Sequence, residues 1–215
     1  MRKISGAIFD MDGTLLDTMR VWDEIGPEYI TRYGQPMSLW ERTRQLTLAD
    51  FCVALHDECG AKESAEQLIA EINGRVDAFY RTRAEAKPGV AEFLEKLDKM
   101  NVPVAVATST DRSQVVTALK RAGLYDRFAD SIFTCTEAGA GKENPAVFNA
   151  AGEKLGTPRL STWVFEDSYF AIRTAKAAGF MTVGVWDRSQ TRHEKEIRSA
   201  ADVYIESFSG LEGIF

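Results

Sequence analysis

Four polar groups spread along the chain have the residue types of a phosphate-handling site. The first is Asp10-Met11-Asp12-Gly13-Thr14, directly after an apolar run from Ile4 to Phe9 that only Ser5 and Gly6 interrupt. Such a run reads as a buried parallel strand, and open α/β sheets place their ligands just beyond the carboxyl ends of their strands. A strand's side chains alternate, but the chain must turn at Gly13, so both acids can approach one site. The plainer alternative is a surface turn, because Asp and Gly are ordinary turn residues. The second group, Thr108-Ser109-Thr110, ends another apolar run. Hydroxyls and amides entering a helix N-terminus make a phosphate cradle, although Ser109 or Asp111 could equally cap that helix.

Lys142 is the third, in Gly139-Ala140-Gly141-Lys142. A lysine there can neutralise phosphate charge and hold a carboxylate, or be a solvated loop lysine, the commoner fate of the residue. The fourth is Glu166-Asp167, after the apolar stretch Trp163 to Phe165. Consecutive acids suit Mg²⁺, a hard cation that takes one or two carboxylates and keeps several waters. The alternative is a helix N-terminus that favours negative charge. The order of the groups and their shared place at strand ends are what join them.

The elements that must position these groups fall into two patterns. From about Asp17 to Ala86 no convincing strand is found. Val21, Trp22, Ile25, Tyr29, Ile30 and Tyr33 recur at helical spacing, with Gly26-Pro27 expected to kink or start that helix. A second stripe, Leu48, Phe51, Cys52 and Leu55, has Thr47 as its cap. A third helix opens with Ser64-Ala65-Glu66-Gln67, a capping-box pattern, and carries Leu68, Ile72, Val76, Phe79 and Tyr80 on its apolar face. After Pro88-Gly89 the pattern alternates. Strands are expected over Val102 to Ala107, Ser131 to Thr134, Trp163 to Phe165, Thr182 to Trp186 and, at an edge, Asp202 to Ile205. Between them lie helices, one started by Asn144-Pro145 and a polar one near His193. Alternation implies a parallel sheet with right-handed crossovers. The expected fold is therefore α/β, a doubly wound, Rossmann-like core (1–16 and 87–215) with an all-helical insertion (17–86).

Composition narrows the function classes. The 215 residues are 45% hydrophobic and 27% charged, the balance of a globular domain. A formal net charge of -6 argues against a broad nucleic-acid surface but leaves room for local cations that bind a small anion. Cys52, Cys59 and Cys135 follow no metal-site spacing and are expected to stay reduced. No signal-peptide pattern precedes the first strand, and no apolar stretch approaches a membrane span. The expectation is a cytoplasmic, monomeric protein without nucleic-acid or membrane partners.

With these motifs in place, the chain resembles the haloacid dehalogenase superfamily over nearly its whole length. Its closest likeness is to the small phosphatases and phosphomutases with a helical cap. The family's four motifs correspond to Asp10-Met11-Asp12-Gly13-Thr14, Thr108, Lys142 and Glu166-Asp167, and the helical insertion resembles its cap. The resemblance implies Asp10 as nucleophile and Asp12 as general acid/base. It implies Thr108, with Thr14 and Ser109, as phosphate-binding and Lys142 as the neutralising cation. The implied Mg²⁺ ligands are Asp10, Asp12, Glu166 and Asp167. A carboxylate can attack phosphorus and split one hard displacement into two, while a second acid serves both proton transfers.

The chain departs from the family at several positions. Glu143-Asn144-Pro145 follows Lys142 where many relatives have Pro-x-Pro, and Ala171 stands where Gly is common. Trp22 replaces the histidine that supports the cycle of β-phosphoglucomutases, and Trp40 to Leu48 lacks the glycine-containing loop of those enzymes. The resemblance thus implies a phosphatase for a small phosphorylated substrate, a phosphosugar first, with a phosphomutase as the alternative. Trp22, Arg20, Arg42 and Arg44 are the residues expected on the substrate side of the insertion. Asp12 argues against a dehalogenase. A receiver-like or degenerate phosphate-binding module is the non-enzyme alternative; the position of the acidic pair weighs against the first and the complete set of charged groups against the second.

Overall fold

A computed structural model of the chain describes residues 3–43, 46, 48–209 and 211. In chain order the strand β1 (Gly6–Phe9) is followed by four helices, α1 (Arg20–Arg32), α2 (Met37–Thr43), α3 (Leu48–Asp57) and α4 (Ala65–Arg83). Alternation then begins with α5 (Val90–Lys99), β2 (Val104–Thr108), α6 (Arg112–Arg121) and α7 (Tyr125–Phe128). It continues with β3 (Ile132–Thr134), α8 (Cys135–Ala138), α9 (Ala146–Leu155), β4 (Thr162–Glu166) and α10 (Tyr169–Ala177). The last elements are β5 (Met181–Val185), a 3₁₀ turn (Arg188–His193), α11 (Glu194–Ala200) and β6 (Val203–Ile205). Contacts divide the chain into two compact units, one of Met1–Thr18 with Arg83–Phe215 and one of Met19–Thr82.

In the first unit six strands form one sheet in the order β3-β2-β1-β4-β5-β6, every neighbouring pair parallel. This is the doubly wound order in which the strand sequence reverses between β1 and β4. The expected α/β core is thus the observed one. β1 and β4 are wholly buried, as strands covered on both faces must be. Their consecutive side chains serve opposite faces. Phe9 stacks on Phe165 at a centroid separation of 4.6 Å, with Phe93 and Phe208 packed around them. Ile8 and Val164 join Ala105, Ala107, Phe148, Ala151, Ala171 and Ala175 in the other cluster.

The second core strand begins two residues later than its apolar run. Asn101 adopts a left-handed conformation (φ 54°), and the Val102 amide turns back to donate to the Leu97 carbonyl at 2.9 Å. The strand extends to Thr108, which puts the first of the three hydroxyl residues at the strand end. Asn144 acts as expected at the start of α9: its Oδ1 accepts from the Ala146 amide at 3.0 Å. The expected edge strand is present as β6.

The second unit is helical throughout its named elements. The apolar face of α4 is buried as its spacing requires, and the capping box closes in both directions between Ser64 and Gln67. Gly26-Pro27, expected to kink or start the helix, does not start it: one helix runs through Pro27, and Val21 and Ile25 before the pair and Tyr29 and Ile30 after it are buried. Gly26 serves packing instead: a Cβ there would lie 2.2 Å from the Trp40 ring. α2, which carries Trp40, is a helix too short to show a periodic stripe. The expected cap residue Thr47 lies outside the described residues. Among the described residues no helix is long and apolar enough to cross a membrane.

Candidate active site

The site is built at the carboxyl edge of β1 and β4. Asp10 follows β1 directly, and its amide donates to the Phe165 carbonyl of β4 at 3.0 Å. Glu166 is the last residue of β4 and Asp167 the next. All three acids are buried, and one oxygen from each lies within 4.8 Å of the others. Lys142 enters from the loop after α8, whose C-cap is Gly139. Its buried ammonium donates to both Asp10 Oδ1 and Glu166 Oε1. The second oxygen of Glu166 accepts from the Ser168 amide at 2.8 Å. The solvated-loop alternative for Lys142 is thereby removed.

The electrostatics are those of a site short of positive charge. Burial pushes Asp10 up to about 8; Lys142 opposes this, while Glu166 and Asp12 add to it. Asp167 is held well above the usual carboxylate range by burial first and then by Glu166, Asp10 and Asp187, with Lys87 pulling the other way. Burial disfavours the charge on Lys142, yet Asp10 and Glu166 together outweigh it and raise the ammonium above its ordinary value. Lys142 thus serves two of the three buried carboxylates, and Lys87 is the cation that acts on the third. Buried charges require partners, and a cation among these acids would favour their ionised forms. An all-oxygen donor set fits a hard divalent ion.

Asp12 lies apart from that cluster. Its half-buried carboxylate accepts from Thr18 Oγ1 at 2.6 Å and from Thr110 Oγ1 at 2.7 Å. The structure therefore does not bring the Asp12 side chain among the clustered oxygens, where it was expected as a metal ligand. Two hydroxyl donors hold it instead, an environment suited to orienting an acid. Gly13, with φ 81°, makes the turn that follows; a Cβ would be strained there.

Thr108 is buried, and its hydroxyl accepts from the Thr110 amide at 3.1 Å. Asp111, at the N-cap of α6, makes no side-chain capping bond and accepts from Thr136 instead at 2.8 Å. Ser109 is exposed, with its hydroxyl 3.6 Å from Cys135 Sγ. Thr14 is wholly buried, and its hydroxyl has no hydrogen-bond partner among the described residues. An unsatisfied buried hydroxyl costs about 1–3 kcal/mol.

Of the residues expected to face substrate, three belong to the helical unit. Trp22 is half-buried on α1, the Arg20 guanidinium lies over the Phe79 ring at 5.6 Å, and Arg42 is exposed on α2. Arg44 lies outside the described residues. Sequence reasoning missed Thr18 and Thr110 as partners of Asp12, and missed the buried pair Lys87–Asp187. Thr110 stood in the visible hydroxyl run; the other three carry no local signal, since their roles arise only from tertiary pairing.

Comparison with known proteins identifies the family. A family model for haloacid dehalogenase-like hydrolases matches residues 4–179. The validoxylamine A 7'-phosphate phosphatase of Streptomyces hygroscopicus subsp. limoneus is 29% identical over 209 residues, covering 94% of this chain and 93% of its own. A phosphorylated carbohydrates phosphatase of Thermotoga maritima is 27% identical, covering 82% of each chain. In fold, a haloacid dehalogenase-like protein of Agrobacterium tumefaciens superposes with a TM-score of 0.81 at 23% identity, covering 98% of this chain and 97% of that one. The matched span contains all four polar groups, and the chain belongs to the haloacid dehalogenase-like hydrolases.

Proposed function

We propose that the protein is a Mg²⁺-dependent phosphatase that hydrolyses a small phosphorylated metabolite, a phosphosugar first, through an aspartyl phosphate on Asp10. The observation that carries this reading is the buried Asp10–Lys142–Glu166 chain beside Asp167. It combines a nucleophile, a fixed ammonium and a hard-cation donor set at one sheet edge. Asp10, Glu166 and Asp167 would hold the ion, which when bound offsets phosphate charge and polarises the phosphoryl oxygens.

The chain's own residues supply the rest. Lys142 holds one Asp10 oxygen and leaves the carboxylate oriented for attack on phosphorus by the other. Asp12, fixed by Thr18 and Thr110, donates a proton to the departing alkoxide and later takes one from the water that cleaves the acyl phosphate. Thr108, Ser109 and the Thr14 hydroxyl are the groups assigned to phosphate. The helical unit is assigned the role of a cap, with Trp22, Arg20, Arg42 and Arg44 meeting the substrate; planar guanidinium donors suit anionic or polyhydroxylated ligands. Relatives named as phosphatases of validoxylamine A 7'-phosphate and of phosphorylated carbohydrates support the substrate class.

Net hydrolysis is favoured over phosphate transfer within a sugar. A mutase must shield its phosphoenzyme from water, and Trp22 occupies the position of the histidine expected in that cycle. The test is a panel of phosphorylated metabolites with Mg²⁺ and with EDTA, followed by phosphate NMR on β-glucose 1-phosphate with a trace of bisphosphate activator. The expected result is Mg²⁺-dependent free phosphate. Undiminished turnover in EDTA overturns the metal assignment, and rapid glucose 6-phosphate with little free phosphate shows a mutase.

A further inference from the structure

The two connections to the helical insertion run side by side within the core unit. Asp17 donates its amide to the Glu85 carbonyl at 3.0 Å and Lys87 donates its own to the Leu15 carbonyl at 2.9 Å, with Leu16 bridged to Ala86 between them. Lys87 ends the returning connection. Its ammonium donates to the Gly13 carbonyl at 2.5 Å, the Trp186 carbonyl at 2.7 Å and Asp187 Oδ2 at 2.8 Å. An ammonium has three donors, and each has an acceptor here. The remaining Asp187 oxygen accepts from the Ser189 amide at 2.9 Å. The side chains of Lys87 and Asp187 retain only 11% and 5% of their exposure.

Stability alone is a weak reason for two buried charges at this place, because a buried ion pair rarely outperforms apolar residues of similar volume. The acceptors point to another reason. Gly13 immediately follows Asp12 and makes a left-handed turn. Trp186 and Asp187 follow β5, the strand next to β4. Lys87 therefore ties the returning connection, the turn after the acidic pair and the loop after β5 at one point. The two charges also stand at the edge that carries the carboxylates: β5 pairs with β4 in parallel, Gly184 opposite Glu166, so the loop after β5 leaves the sheet beside Asp167.

We propose that Lys87 and Asp187 are positioning residues: the pair pins the turn that carries Asp12 to the loop after β5, and its opposite charges balance the cation affinity of the Asp10–Glu166–Asp167 cluster. The charge-balancing part rests on the metal reading above. The pair transfers no proton and touches no reacting atom. It holds Asp12 in place through the Gly13 carbonyl.

The experiment is isothermal titration of Mg²⁺ into the full-length wild type, Lys87→Met, Asp187→Asn and the double variant at pH 8, with circular dichroism as a fold check. A role in packing alone moves both single variants the same way. Charge balance moves them apart. Asp187→Asn, which leaves an unbalanced ammonium, should weaken Mg²⁺ binding about fivefold, and Lys87→Met should strengthen it by a similar factor. The double variant should return to within about twofold of wild type. It also avoids a lone buried charge, so it serves if a single variant fails to fold. With the charges gone but the turn unpinned, its kcat on a sugar phosphate should fall about tenfold with little change in KM. Equal shifts in both single variants, or a double variant with wild-type kcat, overturn the proposal. If the wild type takes up no Mg²⁺, the metal reading falls and the charge-balancing role with it; if the wild type binds and the variants fail to diverge, the proposal alone falls.

Discussion

The core unit and the helical unit both pair cations with carboxylates, but they do so in opposite surroundings. At the sheet edge Lys142 is buried between Asp10 and Glu166. In the helical unit Arg32 meets Glu63 and Glu71, and Arg75 meets Glu28, on side chains that keep about a third or more of their exposure. Water screens the second set, so each pair contributes little. The first set has lost its water, and every charge there must be answered by another. Burial thus separates ion pairs whose charges must answer one another from those that decorate a helix surface.

That contrast is sharpest at Asp10. Asp10→Asn keeps the size of the side chain but removes the proposed nucleophile, so turnover of any phosphate ester should fall by about 10⁴-fold or more. Release of inorganic phosphate under saturating Mg²⁺ checks it. Near wild-type activity in this variant, with deamidation ruled out by mass spectrometry, would remove Asp10 from the chemistry.

Lys142→Met comes next. Losing a fixed electrostatic stabiliser should lower kcat by about 10²–10³-fold. It also leaves the carboxylates without their ammonium, so thermal stability should fall and should recover more with added Mg²⁺ than the wild type does. A melting curve against Mg²⁺ concentration makes the comparison. A variant that melts like the wild type, with or without the ion, would place Lys142 among the decorative pairs.

How much of this was legible beforehand follows the same division. Asp10, Lys142, Glu166 and Asp167 were visible because each stands at the end of an apolar run or beside a helix start, and periodicity locates those ends. The parallel sheet was visible for the same reason. What stayed hidden depends on tertiary pairing. Lys87 and Asp187 lie 100 residues apart in sequence, and nothing local marks either. Thr18 sits beyond the turn as an unremarkable hydroxyl. In the helical unit the long stripe of α4 was readable, whereas the seven-residue α2 was not. Gly26 looked like a breaker because the Trp40 ring that requires it belongs to a different helix.

The role proposed for Asp12 distinguishes the two half-reactions. Asp12→Ala should slow attack on an alkyl phosphate far more than on an activated aryl phosphate, whose leaving group needs less protonation. Single-turnover kinetics on the two esters test this; equal losses would make Asp12 a geometric element. Thr110→Val should give a milder version of the same pattern. It deletes one of the two hydroxyl donors to Asp12 and leaves Thr18 in place. A loss of about tenfold on the alkyl ester is expected, with a smaller loss on the aryl ester.

The smallest effect is expected at Glu28, whose carboxylate receives both terminal nitrogens of Arg75 at 2.8 and 2.6 Å. By geometry alone this two-bond pair looks stronger than most. Yet Glu28 is more than half exposed, and an exposed pair gains little over separate hydration while ordering two flexible side chains. Arg75 also has a second support, since its guanidinium lies 5.7 Å from the centre of the Tyr29 ring. Tyr29 itself is wholly buried, its phenol pushed up to about 12 by that burial and by Glu71. The ring therefore keeps Arg75 in place when Glu28 loses its charge. Glu28→Gln should lower the thermal midpoint by no more than about 2 °C, and the shift should shrink further in 1 M salt. A drop several times larger, insensitive to salt, would mean that the helical unit depends on its surface charges as the sheet edge depends on its buried ones.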